Sequence, residues 1–74
     1  SAGNNAIKSY CARIFDSYEL QERCIKSEQE ARTEYKRSYF DDDVRSYCNG
    51  IFDSWELRAR CAEGESSAKA RLGS

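Results

Sequence analysis

Apolar residues recur along this chain with the spacing of amphipathic helices. Ile7, Tyr10, Cys11 and Ile14 stand at positions i, i+3, i+4 and i+7, which places them on one face of a helix. The same spacing returns further along the chain in a second set, Val44, Tyr47, Cys48 and Ile51. The pattern predicts two short helices, each with an apolar face made of these residues.

The segment that follows each of these two apolar sets has the sequence signals of a helix start. Asp16 is a good N-cap residue, and Glu19, three residues later, completes a capping box. Phe15 and Leu20 have the spacing of a hydrophobic staple around this cap. The later segment has the same parts in Phe52, Asp53, Glu56 and Leu57. Each short helix is therefore predicted to turn at Phe-Asp-Ser into a second helix.

The second helix of each pair is predicted to be longer than the first. The earlier one runs to about Tyr39, after which the acidic run 41–43 supplies the break and the cap for the third helix. The last one reaches Leu72, but we expect it to fray beyond Gly64, because glycine inside a helix costs about 1 kcal/mol relative to alanine. Glu28 lies four residues before Arg32, which predicts a solvated ion pair.

A segment of fifteen residues that begins at Tyr10 is repeated from Tyr47. Ten of the fifteen positions are identical, and the agreement extends more loosely to Ser9/Ser46, Glu28/Glu65 and Ala31/Ala68. A duplication at a fixed period indicates that each copy is one supersecondary unit. The prediction is an all-α fold in which a single small domain, 1–74, contains two tandem helix–turn–helix hairpins at about 5–39 and 42–72.

The four cysteines have the same spacing in both copies, because Cys24 follows Cys11 as Cys61 follows Cys48. On one continuous helix the two thiols of a pair would point roughly 140° apart, whereas a turn between them allows a disulfide. We favour Cys11–Cys24 with Cys48–Cys61. The alternatives are the crossed pairing, Cys11–Cys61 with Cys24–Cys48, and a zinc site, although zinc sites need close cysteine pairs or histidine.

Composition limits the functions that the chain can have. Twelve Lys and Arg nearly balance 13 Asp and Glu, so no basic field would bind nucleic acid. No apolar run approaches the roughly 18 residues that span a bilayer. The chain has no histidine, the commonest general base. We therefore expect that the protein is not an enzyme and that it binds neither a cofactor nor a metal. The acidic run 41–43 lacks the alternating spacing of a calcium loop, and we interpret it as a helix cap.

The aromatic residues are the candidates for a working surface. Tyr18 and Trp55 stand at the second position of the long helices and are predicted to face outward at the hairpin tips. Tyr35, Tyr39 and Phe40 form a second group near the junction between the hairpins. These side chains either pack the two hairpins together or form an exposed patch for a protein partner, since Trp and Tyr dominate binding hot spots.

Paired cysteines in so short a chain favour an oxidising compartment, so we expect a periplasmic or secreted protein. The motif made of Tyr10-Cys11, Ser17-Tyr18-Glu19, Cys24, Glu28 and Ala31 resembles a group of small exported bacterial proteins with cysteine-containing helical repeats. More remotely, the chain is similar to the periplasmic lysozyme-inhibitor-like family, and that resemblance implies a protein-binding inhibitor.

The function that we expect is a non-enzymatic, exported module that binds another protein or associates with the cell envelope. One alternative is a secreted inhibitor or effector that acts on another protein such as lysozyme, and another is a structural spacer. The sequence identifies neither the partner nor the oligomeric state.

Overall fold

The computed structural model describes residues 2–73, which form four α-helices and no β-strand. The helices are α1, Ala2–Ile14; α2, Tyr18–Arg37; α3, Asp42–Ile51; and α4, Trp55–Leu72. Helix α1 packs against α2, α3 packs against α4, and the two hairpins meet where α2 contacts α4. The predicted all-α fold of two tandem hairpins is therefore confirmed, with α2 ending slightly before the expected Tyr39.

One disulfide closes each hairpin. Cys11 is bonded to Cys24 and Cys48 to Cys61, with Cα–Cα distances of 5.7 and 5.8 Å. The favoured pairing is confirmed, and the crossed pairing and the zinc site are wrong. Closing a loop of this size contributes about 3 kcal/mol in the chain-entropy model.

The long helices are capped by serine, and the prediction of Asp16 and Asp53 as N-caps is wrong. The side-chain oxygen of Ser17 accepts a hydrogen bond from the Leu20 N–H at 3.3 Å. The oxygen of Ser54 accepts from the Leu57 N–H at the same distance. Serine takes this position because it is the last residue with extended backbone before the helix, and its short hydroxyl reaches the first turn.

The predicted hydrophobic staple is also replaced. With Ser17 as the cap, the residue four positions into the helix is Gln21, and its Nε2 donates to the Phe15 carbonyl at 2.8 Å. In the second hairpin, Arg58 Nε donates to the Phe52 carbonyl at 2.6 Å. Both turns are thus tied by a hydrogen bond from a side chain to the backbone.

Only half of each predicted apolar stripe is buried. Ile7 and Cys11 are buried in α1, and Val44 and Cys48 are buried in α3. Tyr10 is half-buried, and the other members, Ile14, Tyr47 and Ile51, are exposed. The isoleucines lie at the last residue of each short helix, next to the turn, where the partner helix has only just begun and cannot cover them.

The main core lies at the junction of the hairpins. Tyr35 from the end of α2 is buried with Val44 and Cys48 of α3 and Ala62 of α4. Phe40, Trp55, Ala59 and Cys61 pack against this cluster. The molecule is elongated, with extents of 47 × 22 × 18 Å.

Helix α4 continues unbroken through Gly64 to Leu72, so the expected fraying is wrong. Lys69 Nζ lies 2.8 Å from Asp41 Oδ2 and 3.0 Å from Asp43 Oδ1, which connects the last turns of α4 to the start of α3. These contacts hold the last turns of α4 and compensate for the low helix propensity of glycine. No helix within residues 2–73 has the length and apolar character to cross a bilayer.

The four-residue connection 38–41 is held by Arg45. Its guanidinium donates to the carbonyls of Ser38 and Phe40 and lies 5.1 Å from the centre of the Tyr35 ring. The cation thereby satisfies carbonyls of the connection that have no helical partner and packs on the core aromatics.

Candidate protein-binding surfaces

The structure separates the five candidate aromatic residues into two groups. Tyr18 and Tyr39 are 87% and 86% exposed. Tyr35 is buried, and Trp55 and Phe40 are partly buried against the core. The interpretation that aromatics pack the hairpins together therefore applies to Tyr35, Phe40 and Trp55, and the outward position predicted for Trp55 is wrong.

A buried carboxylate joins the two hairpins. Glu28 of α2 is only 4% exposed, so its predicted role in a solvated ion pair is wrong. Its oxygens accept hydrogen bonds from the Ser54 hydroxyl at 2.8 Å, the Trp55 N–H at 2.6 Å and the Glu56 N–H at 3.4 Å. The first N–H groups of a helix have no partner within the helix and carry partial positive charge. Glu28 therefore supplies from α2 the acceptor that the start of α4 requires.

Trp55 lies beside this carboxylate as the apolar part of the same contact. Its ring centre is 5.8 Å from that of Tyr35, and the guanidinium of Arg58 lies 4.6 Å from it. Arg32 of α2 lies 5.9 Å from the ring on the first hairpin's side. We call the docking of Ser54 and Trp55 against Glu28, Arg32 and Tyr35 the inter-hairpin contact.

The first hairpin carries an equivalent helix start that nothing in the described chain covers. We call Ser17, Tyr18 and Glu19 the free tip; in the second hairpin these positions are Ser54, Trp55 and Glu56. Ser17 caps α2 as Ser54 caps α4. Within residues 2–73 no carboxylate accepts from the Tyr18 or Glu19 N–H, and the Tyr18 side chain extends into solvent. The tip combines two available N–H groups with an exposed aromatic ring.

The second hairpin carries a groove between α3 and α4. It has a volume of about 280 Å³, and we call it the end groove; it is lined by Asp43, Val44, Tyr47, Glu65, Ala68, Lys69 and Leu72. Leu72 is 88% exposed and Tyr47 is 53% exposed. Among residues 2–73, the Glu65 side chain has no hydrogen-bond or ion-pair partner. The groove therefore presents a carboxylate beside apolar side chains.

The acidic run binds a lysine of its own chain. The Lys69 ammonium beside Asp41 and Asp43 lowers the pKa of both carboxyl groups, and the carboxylates raise the pKa of Lys69. A hydrogen bond to Asp41 raises the pKa of the exposed Tyr39 phenol. Within the described chain, no three His, Cys, Asp or Glu side chains are grouped so that they could hold a metal ion. The run thus connects α3 to α4.

Comparison with known proteins gives no significant match to a family model, a curated protein or a solved structure. The geometry of the chain is therefore the basis for its functional interpretation.

Sequence reasoning missed Glu28 and Arg45, which hold the two hairpins in place. The sequence did contain a signal for Glu28. The same residue, Glu65, stands at the equivalent position of the second repeat, although both lie outside the strongly repeated segment and neither has a role within its own hairpin. Arg45 had no comparable signal, since Lys8 stands at the equivalent position.

Proposed function

We propose that this chain is a non-enzymatic, exported module that binds another protein through its free tip. The observation that carries the proposal is the inter-hairpin contact, in which the equivalent tip of the second hairpin is bound by a carboxylate and an aromatic residue. The tip of the first hairpin offers the same groups to solvent.

The chemistry of the tip defines the partner. The exposed Tyr18 ring needs an apolar groove, and the Tyr18 and Glu19 N–H groups need an acceptor, best supplied by a carboxylate near the start of α2. Tyrosine is also a favourable anchor, because it brings a large contact area with few rotatable bonds. The partner is therefore a protein that presents a carboxylate beside an apolar groove.

Export is proposed from the two disulfides. Disulfides form and persist in oxidising compartments, and a small domain depends on them because its core is thin. The periplasm and the extracellular medium both meet this requirement.

Photocrosslinking at the tip tests the proposal. A benzophenone amino acid replaces Tyr18 in the producing cells, and the same replacement at Tyr39, an equally exposed tyrosine, serves as the matched control. We expect a discrete covalent adduct from position 18 that is absent from position 39, and mass spectrometry identifies its second component. The absence of any adduct specific to position 18 contradicts the proposal, as do equal adducts from both positions.

A further inference from the structure

We propose that the partner of the free tip is a second copy of this chain, which receives the tip in its end groove, so that the protein assembles head to tail. The inference rests on the proposed protein-binding function, and it identifies the occupant of the same tip. It follows from comparing the inter-hairpin contact with the free tip and the end groove, whose residues stand at the equivalent positions of the other hairpin.

The end groove corresponds in sequence to the surface that receives the second hairpin. The cavity beside Trp55 is lined on the first hairpin's side by Ala6, Ile7, Ser9, Tyr10, Arg13 and Glu28. Four of these positions have an equivalent 37 residues later that lines the end groove. The equivalents are Asp43, Val44, Tyr47 and Glu65. The groove is thus the same kind of receiving surface, and it stays open within residues 2–73.

Glu65 supplies the carboxylate that the tip needs. Glu28 bonds the Ser54 hydroxyl and the N–H groups of Trp55 and Glu56 within the chain. Glu65 stands at the equivalent position in α4, and the equivalent donors are the Ser17 hydroxyl and the N–H groups of Tyr18 and Glu19. Each set therefore has what the other lacks, and within residues 2–73 no hydrogen bond joins the Glu65 carboxylate to the donors of the free tip.

The apolar parts correspond in the same way. Trp55 packs on Tyr35 within the chain, and the equivalent pair between copies is Tyr18 on Leu72. These two side chains are 87% and 88% exposed in a single chain. Ile25, half-buried in the first hairpin, corresponds to Ala62, which is fully buried by the inter-hairpin contact. A second copy would cover the two exposed side chains and bury Ile25 further.

The contact between copies is expected to be weaker than the contact within the chain. Arg13, which pairs with Asp53 at 3.6 Å, is replaced by Gly50, and Asn49, which accepts from the Tyr35 hydroxyl, corresponds to Ala12. The covalent connection 38–41 is also missing between two copies, so association depends on concentration.

Such an assembly has a recognisable symmetry. The tip and the groove are different surfaces, so the interface is heterologous, and each bound copy leaves one tip and one groove free. Purified wild-type protein is therefore expected to form a series of species at successive multiples of the chain mass. Sedimentation velocity between about 10 μM and about 1 mM should detect a series with weak contacts.

Two variants with opposite defects test the arrangement. Tyr18→Ala removes the ring of the tip and leaves the groove intact, whereas Glu65→Lys reverses the charge of the groove and leaves the tip intact. Each variant alone should be monomeric, and their mixture should form a dimer that does not grow further. Glu65→Gln should raise the dissociation constant by about tenfold or more, because a charge-assisted hydrogen bond is lost. Circular dichroism of each variant confirms that it is folded.

The outcomes separate this inference from the proposed function. A wild-type protein that stays monomeric over the whole concentration range overturns the inference, and so does a closed dimer that persists in both single variants. If position 18 nevertheless crosslinks to a different protein, the binding function stands and only the second copy is wrong. A crosslink at position 18 to residues of the end groove supports both.

Discussion

Trp55 and Tyr18 occupy equivalent positions in the two hairpins and have different environments. Trp55 packs between Tyr35 and the cations of both hairpins, whereas Tyr18 is surrounded by solvent. The side chain's own chemistry does not cause this difference, since both are aromatic residues that follow a capping serine. The difference arises because residues of the first hairpin pack against Trp55, whereas nothing within residues 2–73 covers Tyr18.

Replacing Trp55 by alanine should therefore destabilise the fold, and replacing Tyr18 should not. We expect Trp55→Ala to lower the free energy of unfolding by about 2–4 kcal/mol, because a large side chain is removed from the core. Tyr18→Ala should change it by less than about 0.5 kcal/mol, as is usual for exposed positions. Urea unfolding followed by circular dichroism at low protein concentration measures both. Equal effects of the two variants would contradict the structure.

Glu28 and Glu65 offer a second matched pair. Glu28→Gln keeps the shape of the side chain but weakens three hydrogen bonds at the start of α4, so unfolding should become easier by about 1–3 kcal/mol. Glu65→Gln should have little effect on the monomer, because Glu65 has no partner within the described chain. The same urea titration compares them. Unchanged stability in Glu28→Gln would mean that the carboxylate does not hold the hairpins together.

At the scale of the elements, helix starts and disulfides establish each hairpin. Ser17 and Ser54 begin the long helices, and the disulfides fix each short helix against its longer partner. These features act within about 14 residues of sequence, and closing so short a loop costs less entropy than joining distant segments. Each hairpin can therefore be inferred from its own segment.

Gly64 in α4 is a position at which a substitution should stabilise the fold. A methyl group added at Gly64 would meet no atom within 4 Å, and the helix is continuous there. Gly64→Ala should therefore raise the free energy of unfolding by about 0.5–1 kcal/mol, through better helix propensity and a less flexible unfolded chain. Thermal or urea unfolding measures the gain. A loss of stability would indicate that α4 needs glycine at this position, contrary to the open space around it.

At the scale of the whole molecule, one contact decides how the hairpins are arranged. The core cluster takes Tyr35 from the first hairpin and Val44, Cys48 and Ala62 from the second. Neither hairpin contains this core by itself, so their stabilities are coupled.

The hairpins should consequently unfold together. Trp55 is the single tryptophan and lies in the inter-hairpin contact, so its fluorescence reports that contact, whereas circular dichroism reports all four helices. We expect the two signals to give the same urea midpoint, as in a two-state transition. In Glu28→Gln both midpoints should fall by the same amount. A fluorescence change well before the loss of helix would show that the hairpins separate while still folded.

Several features of the fold could be predicted because they depend on local spacing. The cysteine spacing identified the disulfides, and the four helices followed from apolar periodicity and from the signals at Phe-Asp-Ser. The capping residue was misassigned by one position, because Asp16 and Ser17 are both good caps and only the backbone conformation separates them. For the candidate site, the exposure of Tyr18 and Tyr39 was consistent with a surface role, whereas Tyr35 was a core residue.

The sequence by itself determined the hairpin as a unit, since helix periodicity, serine caps and cysteine spacing act between residues close in the chain. Only the tertiary structure decided which of two equivalent positions is buried. Glu28 and Trp55 meet across 27 residues, and no local pattern encodes the approach of α2 to α4. Burial depends on which surfaces come together, and equivalent motifs therefore differ according to whether another part of the folded chain packs against them. The same reason leaves one tip and one groove of this molecule exposed.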